Sequence, residues 1–302
     1  MTDFTQIPGV RLSMRNQVSV IEIDNAFATA KLSPHGANVF SYCPKNADGS
    51  AGADLLWLSE QAVFDGKTAI RGGVPICWPW FSGYSAQYNA PVVEGSNPPA
   101  HGLVRRAAWH LEDIQALENG ATKVLFSYRS NAETLAIWPY EFVLHFQVVV
   151  GETLSLSLIT HNLTDLDLPM TEALHTYFNL PGDGSLQIDG LQGAMEINTL
   201  NQQNSLVAES VTLAGPIDNV YLQASNRLLA KVHGEVKLQI DTAHAASAVL
   251  WNPGPETVKN FADVDHAKWA EFVCIENGNV RSDQVTVPAR GIHRLQVVIS
   301  RP

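Results

Sequence analysis

The stretch EFVLHFQVVV, residues 141–150, changes between polar and apolar side chains along its length. Successive side chains of an extended chain point to opposite faces, so Phe142, Leu144 and Phe146 share one face. Glu141 and His145 lie on the other face. This period of two predicts a β-strand with one face buried in a core and the other face more polar.

The same pattern recurs along the 302-residue chain, and sustained helical periodicity is almost absent. Further strands are predicted at 18–23, 122–128, 154–159, 236–240, 248–251, 272–276 and 294–300. A short helix is expected only around 61–65 or 263–269. Many short strands separated by Gly, Pro, Asn and Asp indicate an all-β fold, a large antiparallel sandwich or a closed barrel. We see no linker and no repeat, so we expect one domain over residues 1–302.

The longest irregular segment, residues 71–101, holds many of the turn residues of the chain. A loop of roughly 30 residues in a compact domain is more often functional or disordered. Trp78, Trp80, Phe81 and Tyr84 within it favour an ordered loop. These aromatic side chains are candidates for a platform under a sugar ring, and packing of the loop explains them equally well.

Composition narrows the class of partner. The net charge is −11, which argues against general binding to nucleic acid or to anionic membranes. Three scattered cysteines do not form a disulfide framework or a cysteine metal site. The N-terminal residues lack a signal-peptide pattern, and no apolar run is long enough to span a membrane. We therefore expect a cytoplasmic, monomeric protein.

Two ionisable residues stand in apolar strand patterns. In an extended segment, His175 shares a face with Ala173 and Tyr177, opposite a mainly apolar face. A histidine there can exchange protons near neutral pH, although a hydrogen-bonded histidine without a catalytic role is the alternative. Glu276 ends the apolar run 272–276, where partial burial would raise the pKa of its carboxyl group; an exposed glutamate at a strand end is the alternative.

Arg71 and Arg105 are the strongest candidate anion ligands, because a guanidinium group matches the oxygens of a phosphate. Arg71 precedes two glycines that let the backbone approach a ligand closely. Arg106 competes with Arg105 for the same role. A surface ion pair is the alternative for any of them.

His101 and Asp218 are candidate contacts to ligand hydroxyl groups. His101 lies between a proline-rich run and a glycine, and capping of the loop is its alternative role. Asp218 enters a predicted strand through a turn, where its side chain could instead bond the local backbone. His110, His161, His233, His244, His266 and His293 lack a distinctive setting, and we expect them to be solvent-exposed.

Six motifs together resemble the hexose-6-phosphate mutarotases, also called glucose-6-phosphate 1-epimerases, of the aldose 1-epimerase superfamily. The motifs are RGGVPICWPWF (71–81), HGLVR (101–105), ALHTYF (173–178), DNVY (218–221), WNPG (251–254) and CIENG (274–278). The resemblance spans roughly residues 20–300. It implies an antiparallel β-sandwich of the galactose mutarotase-like (supersandwich) type and an isomerase that interconverts the anomers of a hexose 6-phosphate, most simply glucose 6-phosphate.

The resemblance also implies roles for individual residues. His175 matches the general acid and Glu276 the general base, placed on opposite sides of the sugar. His101 and Asp218 match contacts to sugar hydroxyl groups. Arg71 and Arg105 match the phosphate end, with Arg106 or Lys259 as further candidates. Acid–base ring opening requires neither a metal nor an organic cofactor.

Four alternatives stay open at this stage. A free-sugar aldose 1-epimerase would share the chemistry and differ at the phosphate end. A carbohydrate-binding module would keep the aromatic residues without needing both His175 and Glu276. A glycosidase would need two carboxyl groups, and Asp218 and Glu276 are the available pair. A histidine metal site would use His101 and His175, which lack the usual close spacing.

Overall fold

The computed structural model describes residues 4–302 and confirms the all-β prediction. The first twelve strands are β1 (Val10–Arg15), β2 (Val18–Asp24), β3 (Ala28–Leu32), β4 (Val39–Pro44), β5 (Ile76–Cys77), β6 (His110–Ala116), β7 (Thr122–Arg129), β8 (Phe142–Val150), β9 (Leu154–Asn162), β10 (Leu168–Met170), β11 (Glu172–Leu174) and β12 (Tyr177–Phe178). The remaining strands are β13 (Asp183–Asp189), β14 (Met195–Asn198), β15 (Gln203–Leu206), β16 (Val211–Ala214), β17 (Ile217–Leu222), β18 (Arg227–Val232), β19 (Glu235–Ala243), β20 (Ser247–Asn252), β21 (Val273–Asn279), β22 (Val285–Val287) and β23 (Ile292–Ser300). Each predicted strand corresponds to one of these within a few residues.

Helices are few and short in this part of the chain. The α-helices are α1 (Ala132–Leu135) and α2 (Gly254–Thr257), and the 3₁₀ helices are Phe4–Gln6, Val258–Asn260, His266–Glu271 and Arg281–Asp283. The helix expected around 263–269 appears as the 3₁₀ helix at 266–271. The helix expected at 61–65 is wrong. There the Ser59 hydroxyl accepts from the Gln61 N–H, and the Asp65 carboxylate accepts from the backbone of Lys67 and Thr68. These local bonds favour turns over a helix.

Two large antiparallel sheets form the body of the protein. The nine-stranded sheet has the order β16-β13-β18-β19-β23-β9-β8-β7-β6. The eight-stranded sheet has the order β15-β14-β17-β20-β21-β11-β5, and β12 also pairs with β21. A four-stranded sheet, β1-β2-β3-β4, and the pair β10-β22 complete the fold.

One continuous apolar core joins the two large sheets. Phe142, Leu144 and Phe146, the face predicted to be buried, have no exposed surface. They belong to the same cluster as Leu250 of β20 and Ile275 of β21 in the other sheet. Burying each such side chain contributes about 1.5–3 kcal/mol, so both sheets owe their positions to this shared interior.

The long segment 71–101 is anchored by its tryptophans. Trp78 and Trp80 are fully buried in the core, where the indole N–H of Trp78 donates to the Thr160 hydroxyl at 3.1 Å. The indole N–H of Trp80 donates to the Pro99 carbonyl at 2.7 Å. These two residues therefore hold the loop against the sandwich, and a role under a sugar ring is left to Phe81, which is only partly buried.

No helix among residues 4–302 is both long enough and apolar enough to cross a membrane. Residues 1–3, which belong to the N-terminal segment considered above and to the predicted domain 1–302, lie outside the described residues.

Candidate active site

Glu276 lies in the middle of β21, where it pairs with Val249 of β20. The strand continues to Asn279, so the expectation that Glu276 ends the strand is wrong. Pairing on both sides by β20 and β11 keeps the chain extended past the apolar run. As a result, Glu276 is only 1 % exposed.

His175 occupies an interruption between strands. The predicted continuous strand breaks after Leu174, and β12 begins at Tyr177. The His175 N–H donates to the carbonyl of Pro75 at 2.9 Å. Its imidazole stacks on the Tyr177 ring, with centroids 5.0 Å apart and an interplanar angle of 10°. The break and the stack fix the direction of the ring.

The two side chains meet directly. His175 Nε2 lies 3.4 Å from Glu276 Oε1. His175 Nδ1 and Glu276 Oε2 are buried and have no hydrogen-bond partner. Burial lowers the pKa of His175 well below 6.5, with a further contribution from the charges of His101, Arg105 and Arg71. Burial also raises the pKa of Glu276 well above 4.5, and the Asp218 carboxylate adds to that shift.

These two residues line a cavity of about 330 Å³, called here the catalytic cavity. Its wall also contains His101, whose backbone is left-handed with φ of 61°. Nδ1 of His101 accepts from the Ser82 N–H at 3.4 Å and lies 3.2 Å from the Cys77 sulfur. Burial and two nearby arginines lower the pKa of His101 to about 3. The neutral ring therefore carries its proton on Nε2, which is free to donate to a ligand.

Asp218 of β17 stands opposite Trp251 of β20, and both line the catalytic cavity. Among residues 4–302, no group donates a hydrogen bond to the Asp218 carboxylate, so the turn-bonding alternative is wrong. The carboxylate is therefore free to accept hydrogen bonds in the cavity that Trp251 also lines.

A second cavity of about 250 Å³, the basic cavity, adjoins the first, and Arg71, Arg105, His175 and Tyr177 line both. Lys67 and Arg106 complete its cationic wall. Within the described residues, Lys67, Arg105 and Arg106 take part in no ion pair, and Nε of Arg105 is buried without a partner. Four cations and the Asp263 carboxylate therefore line one small cavity of an acidic protein.

Arg71 differs from these neighbours because the protein already binds it. Its Nε donates to Asp263 at 3.0 Å and its Nη1 to the Tyr177 hydroxyl at 3.2 Å. The two glycines that follow serve packing as well. A side chain at Gly72 would come within 2.4 Å of the Trp57 carbonyl, and one at Gly73 within 2.4 Å of the Val39 carbonyl. The close approach expected there is thus to the protein's own backbone.

Sequence reasoning missed several contributors to these walls. Lys67 and Asp263 lie in turns without a recognisable motif, and Phe261 follows a 3₁₀ helix. Only the fold brings them to the site, so no sequence signal marked them. Lys259, a candidate phosphate ligand, pairs with Glu256 at 2.8 Å and lines neither cavity.

Potential metal donors are few around this site. His175, Cys274 and Glu276 each offer one donor atom, and these atoms lie within 4.8 Å of one another. Burial raises the pKa of the Cys274 thiol well above its usual value, with the Glu276 carboxylate as the next cause. A protonated thiol is a poor metal ligand. His101 contacts the His175 ring edge-on at 5.5 Å and is not part of this group.

Residues 19–300 match the family model of aldose 1-epimerase, and the chain belongs to this family. A relative in Escherichia coli K12, provisionally named a glucose-6-phosphate 1-epimerase, is 30 % identical over 94 % of this chain and 90 % of its own length. A relative in Cenchrus ciliaris with the same provisional name is 28 % identical over 82 % of this chain and 74 % of its own.

Solved structures agree on the fold. A crystal structure of a protein from Salmonella typhimurium, provisionally named a mutarotase, superposes with a TM-score of 0.85 at 25 % identity, covering 98 % of this chain and 94 % of that one. A galactose mutarotase related enzyme from Lactobacillus acidophilus gives a TM-score of 0.71 at 15 % identity, covering 94 % and 97 %. The expectation of a galactose mutarotase-like fold is confirmed.

Proposed function

We propose that this protein interconverts the α and β anomers of a hexose 6-phosphate, with glucose 6-phosphate as the simplest substrate. One observation carries the proposal. A buried histidine–carboxyl pair with unpartnered atoms opens on a cavity that continues into a cluster of unpaired cations. The first feature suits proton transfer, and the second suits a phosphate. The provisional names of the relatives support the same reaction.

Ring opening requires two proton transfers. Glu276 takes the proton of the C1 hydroxyl, the bond between C1 and the ring oxygen breaks, and the protonated imidazole of His175 gives its proton to the ring oxygen. A C1 aldehyde results. Rotation about the C1–C2 bond exposes its other face, and the reverse transfers close the opposite anomer.

The relative position of the acid and the base differs from the expectation. His175 Nε2 and Glu276 Oε1 are 3.4 Å apart, closer together than a placement on opposite sides of the sugar implies. The geometry fits the chemistry, because the C1 hydroxyl and the ring oxygen are attached to the same carbon. One approach of that carbon to the pair brings both oxygens within hydrogen-bond reach.

The pair works with one proton in total. Burial disfavours charge on either residue, which raises the pKa of Glu276 and lowers that of His175. Of the two arrangements of the single proton, the neutral pair is therefore favoured over the ion pair when no sugar is bound. A concerted transfer through the sugar exchanges one arrangement for the other without leaving an isolated buried charge.

The basic cavity would hold the phosphate. Arg105, Arg106 and Lys67 lack acidic partners among the described residues, so none of them has to give up an ion pair when an anion binds. Arg71, held by Asp263 and Tyr177, contributes a fixed positive charge at the border of the two cavities. Local attraction thereby offsets the repulsion expected from a net charge of −11.

The proposed steps use only side chains of this chain and the sugar. A cytoplasmic location, a monomeric state, a single domain and the absence of nucleic-acid and membrane partners remain predictions from the sequence.

Anomer-exchange NMR tests the proposal. We expect enzyme-dependent exchange between the anomers of glucose 6-phosphate and a much smaller kcat/KM for free glucose under matched conditions. Equal efficiency on both sugars would assign the protein to the free-sugar epimerases. Binding of sugar without exchange would identify a carbohydrate-binding module instead.

A further inference from the structure

A third cavity, of about 410 Å³, adjoins the catalytic cavity and is called here the distal cavity. Phe81, Ser82 and Asp218 line both spaces, so the two are continuous. The distal cavity shares no lining residue with the basic cavity. Two further cavities, the basic and the distal cavity, therefore adjoin the catalytic cavity. The phosphate of a hexose 6-phosphate would occupy only the basic cavity.

The distal wall is polar and carries one cation. Gln87, Tyr88 and Arg281 line it, and among residues 4–302 no hydrogen bond is formed by their side chains. Arg281 also lacks an ion pair within the described part of the chain, whereas Arg227 and Arg290 at the surface each pair with an aspartate. An unpaired guanidinium group that faces a cavity can donate two parallel hydrogen bonds to a carboxylate or a phosphate.

The backbone around this wall is unusual. Arg281 has a φ of 53° and lies two residues beyond the end of β21, the strand that carries Glu276. Ser82 and His101, which line the catalytic cavity, have φ of 59° and 61°. Left-handed residues other than glycine are uncommon and cluster at binding and catalytic sites. Arg281 shares this feature with residues of the catalytic cavity.

The chemistry of the ring limits what enters the distal cavity. In the proposed reaction, C1 and the ring oxygen face His175 and Glu276, and the phosphate on C6 occupies the basic cavity. Carbons C2 to C4 remain for the part of the catalytic cavity that Asp218 lines, and Asp218 also borders the distal cavity. A group attached at one of these carbons would extend into that space, whose volume lies within the range of ligand pockets.

We propose that the distal cavity binds a carboxylate-bearing substituent on the C2–C4 edge of a 6-phosphorylated hexose, with Arg281 as its counter-ion. This inference rests on the proposed function. The substrate class is a reducing sugar with two anionic groups, one for the basic cavity and one for Arg281, which lines the distal cavity together with Asp218. A lactyl ether on C3 is a suitable substituent, because its carboxylate stands a few bonds from the ring.

A comparison of two substrates measures the effect of the carboxylate-bearing substituent alone. N-acetylmuramic acid 6-phosphate and N-acetylglucosamine 6-phosphate have the same ring, acetamido group and phosphate, and only the first carries the lactyl ether. Their kcat/KM values for anomer exchange give a preference ratio. We expect the wild-type ratio to favour the carboxylated sugar by about 10-fold or more, as for one charge-assisted hydrogen bond.

Arg281→Gln should lower that ratio by about 10- to 100-fold, and Arg281→Lys, which keeps the charge and loses the bidentate geometry, should lower it less. Arg129→Gln is the matched control, because Arg129 is also unpaired among the described residues and lines none of the three cavities. A wild-type ratio near one, or a ratio unchanged in Arg281→Gln, would overturn the inference. Absence of exchange with glucose 6-phosphate itself would overturn the proposed function instead.

Discussion

Two histidine–carboxylate pairs with a buried carboxyl group lie among residues 4–302, and they differ in the length and number of their hydrogen bonds. His293 Nε2 is 2.6 Å from Glu172 Oε1, and the Asn279 amide also donates to that oxygen at 3.1 Å. His175 and Glu276 are 3.4 Å apart, and neither has another side-chain partner in the described residues. Both carboxyl groups are almost fully buried.

The surroundings of the two pairs differ as well. The space next to His293 is lined by neutral polar and apolar residues and contains no arginine or lysine. The space next to His175 contains two arginines and continues into the basic cavity. Residue type and burial are thus common to both pairs. Each pair also has one buried carboxyl oxygen without a partner, Oε2 of Glu172 and Oε2 of Glu276. A short bond within the pair together with a second donor indicates a structural pair, and a longer contact that faces a charged cavity indicates a reactive one.

The largest expected effect on anomer exchange comes from substitutions in the His175–Glu276 pair. His175→Asn and Glu276→Gln should each lower anomer exchange by at least about 100-fold, the lower end of a general acid–base contribution. Each substitution removes the proton-transfer group and keeps a polar side chain of similar size. Exchange NMR with glucose 6-phosphate measures the rate, and circular dichroism checks the fold. Near wild-type exchange in either variant would contradict the assigned role of that residue.

The next effect concerns the cations beside that pair. Arg105→Ala should raise the KM for glucose 6-phosphate by about 10- to 100-fold, because a charge-assisted hydrogen bond is lost. Its kcat/KM for free glucose should change far less. Arg71→Ala should impair both sugars, since Arg71 also holds Tyr177, on which His175 stacks. Equal losses on both sugars in Arg105→Ala would place Arg105 in the ring site.

The pH dependence of anomer exchange tests the His175–Glu276 pair without any substitution. The active state of His175 and Glu276 holds one proton. A second proton binds as the pH falls through the pKa of His175, which is lowered from 6.5, so the acid limb should lie below pH 6.5. The remaining proton leaves as the pH rises through the pKa of Glu276, which is raised above 4.5. Beyond each limb, kcat/KM should fall about tenfold per pH unit.

Free glucose provides the control for this profile, because the phosphate of the substrate itself titrates at a pKa of about 6. An acid limb present with glucose 6-phosphate and absent with glucose would belong to the substrate. An acid limb above 6.5 with both sugars would contradict the lowered pKa of His175.

The smallest effect on anomer exchange should come from a substitution in the His293–Glu172 pair. Glu172→Gln should lower the free energy of unfolding by about 1–3 kcal/mol, because the carboxyl group bonded to His293 and Asn279 is replaced and an amide N–H is buried without a partner. Exchange should stay close to wild type. Urea denaturation measures the stability. A large loss of exchange in a folded Glu172→Gln protein would remove the distinction between the two pairs.

The sequence alone determined the architecture and supplied the candidate site residues. A period of two decides which side chains of an extended strand share a face, and this local rule located β8 and its buried face correctly. The order of the motifs then identified the family. It also marked His175, Glu276, Arg105 and Asp218 as candidate site residues. Those inferences depend on residues close in the chain or on a pattern shared with relatives, and neither requires coordinates.

Tertiary structure decided how these residues relate in space. The pairing of β21 with β11 and β20 buried Glu276 in mid-strand, and the bond from His175 to Pro75 broke the predicted strand. Lys67 joined the basic cavity, Lys259 stayed outside it, and His293, expected at the surface, paired with Glu172. These outcomes depend on contacts between segments far apart in the chain, and on which polar atoms such contacts leave unpartnered. No periodicity or spacing in the sequence encodes either quantity, because each is a property of the assembled packing.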